Sequence, residues 1–223
     1  MIEAVLWDND GILVDSERRF FEVSRSAFLR FEVELTEALW ADLYLGNGLG
    51  SRRIALALGV EPNRIDPVLD ERNRQYLELL RDPPAVRPRV CETLQTLSKR
   101  IRMAVVTGCH RHQLDLMHRT SDLLGFFELI VTGDDCARSK PDPEPYRLAL
   151  DRMSLLPDRC LAVEDSARGL RSALSAGIAC VVVPTDLTAG QDFSGALAVE
   201  EDAAGILKHV ALPEKPIAPA ESR

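Results

Sequence analysis

Asp8 and Asp10 stand one residue apart in Ala4-Val5-Leu6-Trp7-Asp8-Asn9-Asp10-Gly11, where an apolar run stops. Ala4 to Trp7 reads as a buried β-strand, so both carboxylates fall just past its carboxyl end, where open α/β sheets place their ligands. Unpaired buried anions are costly, and a divalent cation such as Mg²⁺ suits hard oxygen ligands. Three later strand-like runs end in residues of matching chemistry. One ends in Val105-Val106-Thr107-Gly108, and one leads through Thr132-Gly133-Asp134-Asp135 to Ser139-Lys140-Pro141-Asp142. The last ends in Val163-Glu164-Asp165-Ser166.

One sheet edge would therefore gather Asp8, Asp10, Thr107, Lys140, Glu164 and Asp165, an inventory suited to phosphoryl transfer. Asp8 is placed to attack phosphorus, dividing one hard step into two through an aspartyl-phosphate. Asp10 would protonate the leaving oxygen and later deprotonate water. Mg²⁺ held by Asp8 and Asp165 would offset repulsion between carboxylate and phosphate. Thr107 and Lys140 would bind the remaining phosphoryl oxygens, with the Gly108 N–H close by. Each residue also has a plainer reading. Asp-Gly is a common turn dipeptide, Thr107 can terminate a strand, and Lys140 can sit in solvent. Convergence of all the groups at one edge outweighs those readings.

The elements that must position these groups follow from the apolar pattern. Strand-like runs recur at 4–7, 101–106, 129–131, 160–163 and 179–183, and helical patterns lie between the later ones. Asp142-Pro143 offers the start of a helix carrying Tyr146, Leu150 and Met153. Asp165 or Ser166 is the expected cap of the next helix, with Gly177 ending it. Such alternation predicts an α/β fold with a three-layer, Rossmann-like parallel sheet. Residues 16–83 break the rhythm with helical patterns alone, so an inserted all-helical cap is expected there. The core would then comprise 1–15 and 84–212, with 82–88 as the returning hinge. The Pro- and Ala-rich tail, 213–223, is expected to be disordered.

Composition narrows the function classes. A net charge of -8 and a pI near 5.1 argue against nucleic acid or an anionic membrane as partner. Without an apolar run of membrane length or a basic leader, the chain reads as cytoplasmic, a monomer or weak homodimer acting on a small phosphorylated metabolite. The five cysteines are odd in number and never spaced C-x-x-C, which suits reduced thiols. His110-x-His112 reads as a helix start rather than a metal site.

The ordered motifs resemble those of the haloacid dehalogenase-like hydrolase superfamily, in the branch containing phosphoglycolate phosphatase and β-phosphoglucomutase. Asp8-Asn9-Asp10-Gly11-Ile12-Leu13-Val14-Asp15-Ser16-Glu17 is similar to the first motif and Thr107 to the second. Lys140-Pro141-Asp142-Pro143 is similar to the third, and Glu164-Asp165-Ser166 to the fourth. The resemblance implies Asp8 as nucleophile, Asp10 as acid/base, and Thr107 and Lys140 as the phosphoryl grip. It also implies Mg²⁺ bound by Asp8, the Asp10 carbonyl and Asp165, with Glu164 direct or through water, and a helical cap closing over the substrate. In the cap, Gly46-Asn47-Gly48-Leu49-Gly50-Ser51-Arg52-Arg53 resembles a substrate-specificity loop, so Arg52 or Arg53 is expected to meet a second anionic group.

Departures select within the branch. Asp10 argues for phosphoryl transfer over dehalogenation. No lysine precedes Lys99 to form an imine for phosphonate cleavage, and Phe20 stands where mutases of the branch carry a histidine. A phosphatase is expected over a phosphosugar mutase. A non-catalytic phosphoacceptor signalling module, which also pairs aspartates with Thr and Lys, would lack the inserted cap.

Overall fold

Six strands are laid down in chain order: β1 (Ala4–Trp7), β2 (Arg102–Val106), β3 (Leu129–Val131), β4 (Cys160–Glu164), β5 (Ala179–Val182) and β6 (Ala198–Val199). In the computed structural model, which describes residues 1–98 and 100–211, they form one parallel sheet in the order β3-β2-β1-β4-β5-β6. Residue 212 and the expected disordered tail lie outside the described residues.

Period-two alternation explains the two-faced core. Val5, Trp7, Met103, Val105, Leu161 and Val163 pack in one cluster. Their neighbours Ala4, Leu6, Ala104, Val106, Cys160 and Ala162 pack in another on the opposite face. Helices α5 (Val90–Leu97), α6 (Arg111–Met117), α7 (Glu144–Met153) and α8 (Ala167–Ser175) complete the outer layers. The chain passes from β1 to β2 on one side of the sheet centre and reaches β4 on the other. The carboxyl end of β1 is thus a topological switch point, the place where such sheets open a crevice. The two-residue edge strand β6 had no readable run in the sequence, since two residues carry no periodicity.

Between β1 and β2 the described chain is helical, with α1 (Glu17–Leu29), α2 (Glu37–Leu39) continuing into a π-helix over Trp40–Gly46, α3 (Ser51–Ala57) and α4 (Pro62–Leu79). These helices bury their own cluster, including Phe21, Phe28, Leu35, Trp40, Leu45, Ile54 and Ile65. The outgoing and returning segments pair with each other. Asp15 N–H donates to Ala85 O at 2.9 Å and Arg87 N–H to Leu13 O at 3.0 Å, beside an antiparallel Val14–Val86 bridge.

Helix capping differs in part from expectation. Asp142, expected as the N-cap of α7, stands one residue before it: Pro143 is the N-cap, and Asp142 Oδ1 accepts from Glu144 N–H at 2.9 Å. Ser166 stands at the N-cap of α8, yet its hydroxyl makes no capping bond. The Gln191 side chain reaches in instead, and Ala167 N–H donates to its Oε1 at 2.7 Å.

Behind β1, α6 is fastened to the aspartate loop. Asn9 is fully buried, accepting from His118 Nε2 at 2.7 Å and donating to Met117 Sδ at 3.2 Å. His118 Nδ1 faces Ser121 Oγ at 3.1 Å, a pattern that fits the neutral tautomer protonated at Nε2. Burial lowers the His118 pKa to about 4, against a small opposing pull from Asp115. The unfolded chain therefore binds more protons between about pH 4 and 6.5, and stability falls as pH drops through that window. In urea unfolding, wild type should lose about 3 kcal/mol more than His118→Gln between about pH 7.5 and 4. Parallel pH profiles for the two proteins would show that another group is responsible.

Candidate active site

Lys140 lies between β3 and α7 and is the buried cation of the sheet edge, 6% exposed. Its Nζ lies 2.9 Å from Asp8 Oδ1, 2.7 Å from Glu164 Oε1 and 2.7 Å from Val106 O. Burial alone would lower its pKa, but the Asp8 and Glu164 carboxylates outweigh burial and the net shift is upward. The ammonium therefore stays charged. Tyr146, from α7, donates its hydroxyl to Glu164 Oε1 at 2.6 Å, and its ring centroid lies 5.2 Å from the Lys140 nitrogen.

One carboxylate oxygen each from Asp8, Glu164 and Asp165 fall within 4.8 Å of one another, all three residues buried. Glu164 Oε2 and Asp165 Oδ2 are buried without a hydrogen-bond partner. Burial pushes both pKa values up. Asp8 adds to the rise at Glu164, which Lys140 opposes. At Asp165, Glu17, Asp8 and Glu164 add further repulsion. Three converging carboxyl groups, two of them with an orphaned oxygen, are the donor set of a hard divalent cation, so these residues could hold one. Two glycines make the cluster possible. A Cβ at Gly169 would overlap the Glu164 carboxylate, and one at Gly11 (φ +81°) would meet Asp165 Oδ2.

Asp10 sits beside this cluster with both oxygens engaged. Ser16 Oγ donates to Oδ1 at 2.5 Å and Thr107 Oγ1 to Oδ2 at 3.1 Å. Thr107 Oγ1 also accepts from Cys109 N–H at 3.1 Å. Asp8, Asp10, Gly108 and Lys140 line a cavity of about 520 Å³ whose other wall comes from the helical insertion. Such a volume lies in the range of small-molecule sites, roughly 300–1,000 Å³. Thr107, Glu164 and Asp165 lie beneath its floor, each nearly or fully buried.

The structure therefore brings together Asp8, Asp10, Thr107, Gly108, Lys140, Glu164 and Asp165. It does not bring Arg52 and Arg53 to them. Both are exposed on α3 and outside the cavity lining, and Arg52 pairs with Asp66. The turn of α3 presents them to solvent because Ile54 and Ala55 take the buried face. The arginines that do line the cavity are Arg72 and Arg168. Arg168 Nη2 lies 3.4 Å from Glu17 Oε1, and its guanidinium carbon 4.5 Å from the Tyr44 ring centroid. Burial raises the Glu17 carboxyl pKa, with Arg168 opposing and Asp10 and Asp8 adding to the rise. Arg168 could have been found by its position two residues after Ser166 on the inward turn of α8. Arg72 gave no signal, because it lies in a polar stretch of α4 (Asp70-Glu71-Arg72-Asn73-Arg74). His110 and His112 line the same cavity, with His110 Nδ1 2.6 Å from Asp134 Oδ1.

The sequence and the fold have known counterparts. The profile of the haloacid dehalogenase-like hydrolase family matches residues 5–183. The chain is 34% identical over 186 residues to a phosphorylated carbohydrates phosphatase of Thermotoga maritima, spanning 79% of this chain and 82% of that protein. It is 30% identical over 208 residues to CbbY of Cereibacter sphaeroides, spanning 88% and 90%. A crystal structure of a CbbY variant from Rhodobacter sphaeroides in complex with xylulose-1,5-bisphosphate superposes with a TM-score of 0.77 at 29% identity, covering 92% of this chain and 96% of that one. The chain belongs to the haloacid dehalogenase-like hydrolases.

Proposed function

We propose that the chain is a Mg²⁺-dependent phosphatase that hydrolyses a small phosphorylated metabolite through an aspartyl-phosphate on Asp8. The observation that carries this reading is the position of Asp8: it is held by Lys140, flanked by Asp10, and open to a metabolite-sized cavity. A relative named as a phosphorylated carbohydrates phosphatase supports its phosphatase part.

The reaction divides into two displacements at phosphorus. In the first, an Asp8 carboxylate oxygen forms a bond to phosphorus as the bond to the ester oxygen breaks, and Asp10 delivers a proton to the departing alkoxide. In the second, Asp10 takes a proton from water, whose oxygen bonds to phosphorus while the Asp8–phosphorus bond breaks. Lys140 steadies Asp8 and supplies positive charge to the phosphoryl oxygens, joined by the Gly108 N–H. Thr107 and Ser16 fix the direction of the Asp10 carboxyl. Asp8, Glu164 and Asp165, with the Asp10 carbonyl, would hold Mg²⁺, which when bound neutralises charge on the transferring group. Residues 16–83 act as a cap that walls the leaving group from bulk water. Phe20 lines the cavity and packs against Tyr76, ring centroids 4.8 Å apart. An aromatic ring with no titratable group there supports hydrolysis over phosphosugar mutation.

Asp8→Asn should lower kcat for p-nitrophenyl phosphate by about a thousandfold or more while the far-ultraviolet spectrum stays native. Turnover at the wild-type rate would remove Asp8 as nucleophile. Asp10→Asn should cost about a hundredfold to ten-thousandfold in kcat, the range of general acid–base catalysis; an unchanged kcat would reassign that role. Saturating Mg²⁺ should raise Tm by roughly 5 °C through mass action. Asp165→Asn should raise Tm in EDTA, because it relieves a buried repulsion, yet abolish the Mg²⁺ response. A Mg²⁺ response as large in Asp165→Asn as in wild type would place the ion elsewhere.

A further inference from the structure

Tyr146 lies on α7, fully buried and outside the cavity lining. Its hydroxyl donates to Glu164 Oε1 at 2.6 Å, and Lys140 Nζ lies 2.7 Å from the same oxygen. A carboxylate oxygen offers two lone-pair sites, so these two donors saturate Oε1. Glu164 Oε2 is left buried without a partner, in a residue that supplies one oxygen to the cluster with Asp8 and Asp165. The carboxylate is confined on its other side as well, because it rests against the α8 backbone where a Cβ at Gly169 would overlap it. The Tyr146 ring packs in the apolar cluster with Leu6, Val106 and Cys180, so its hydroxyl is fixed with it. Packing alone does not call for that hydroxyl. A phenylalanine ring would fill nearly the same space, and Lys140 would still pair with Glu164. Hard cations differ in what they ask of a carboxylate: Mg²⁺ demands near-octahedral geometry, whereas Ca²⁺ takes roughly six to eight oxygens and accepts both from one carboxylate.

We propose that Tyr146 makes Glu164 a one-oxygen ligand, through Oε2, and thereby biases the three-carboxylate site toward Mg²⁺ and against Ca²⁺. This rests on the reading of Asp8, Glu164 and Asp165 as the holders of the divalent cation. Tyr146 is a positioning residue: it acts through Glu164 and touches neither substrate nor ion. Removing its hydroxyl frees one lone pair of Oε1, and Glu164 can then offer both oxygens to the larger ion.

The test titrates Mg²⁺ and Ca²⁺ separately into the metal-free full chain and takes apparent affinities from the rise in Tm with ion concentration. Wild type should bind Mg²⁺ at least as tightly as Ca²⁺. Tyr146→Phe should shift the ratio of the two affinities about fivefold or more toward Ca²⁺. In infrared difference spectra, Ca²⁺ should narrow the splitting between the antisymmetric and symmetric carboxylate stretches in Tyr146→Phe, the mark of two-oxygen binding, more than it does in wild type. Leu150→Ala, which removes buried bulk from the same helix and no side-chain hydrogen bond, should keep the wild-type ratio. The role of Tyr146 is overturned by a ratio unchanged in Tyr146→Phe, by an equal shift in Leu150→Ala, or by tighter binding of Ca²⁺ than Mg²⁺ in wild type. If Tyr146→Phe does not fold, the wild-type ratio decides alone. Asp165→Asn should lose the response to both ions. Full responses in that variant, or none in wild type, sink the metal site itself, whereas a site that binds Mg²⁺ with a ratio indifferent to Tyr146 sinks only the positioning role.

Discussion

The buried ammonium of Lys140 is the charge around which the sheet edge is organised. Asp8 and Glu164 come from neighbouring parallel strands, and without Lys140 two carboxylates at their ends would face each other in a low dielectric. Lys140 bonds both, and its third hydrogen bond goes to the Val106 carbonyl at the end of β2. One side chain thereby ties together the ends of β1, β2 and β4. Asp165 is left over, buried with an unpartnered oxygen. The cluster is thus electrostatically incomplete on its own, and a divalent cation is what could complete it.

The remaining architecture supplies rigid mounts for this balance. Parallel register sets Trp7, the last residue of β1, opposite Val163 of β4, so that Asp8 and Glu164, the next residue of each segment, stand at matching heights. The hydroxyls of Ser16 and Thr107 reach Asp10 from the start of the insertion and from the end of β2. The Asn9–His118 bond holds the same loop from behind. Asp8, Asn9 and Asp10 are consequently fixed by different parts of the fold, as preorganised chemistry demands.

Much of the sheet and its edge was legible in the sequence because the signals are local and strong. Four-residue apolar runs ending in Asp, Thr or Glu-Asp read as buried strands delivering polar groups to one rim. The helical insertion was legible through the lack of such a run between Ser16 and Pro83. What stayed hidden depends on long-range geometry. The two hydroxyls that pin Arg72 come from α1 and α3, 48 and 21 residues away in sequence, and no spacing rule links them. Arg52 and Arg53 stood out because they follow a glycine-rich loop, yet the helical phase set by Ile54 and Ala55 turns them outward. Tyr146 read as an ordinary apolar helix position, whereas its hydroxyl bonds a carboxylate of the site.

The pairing of Asp15 with Ala85 and of Leu13 with Arg87 means that the helical unit departs and rejoins through adjacent strands of backbone. A segment whose two ends already lie together can be lengthened, shortened or exchanged without moving the strands it interrupts. Diversification of what is recognised is thereby uncoupled from preservation of how the bond is broken.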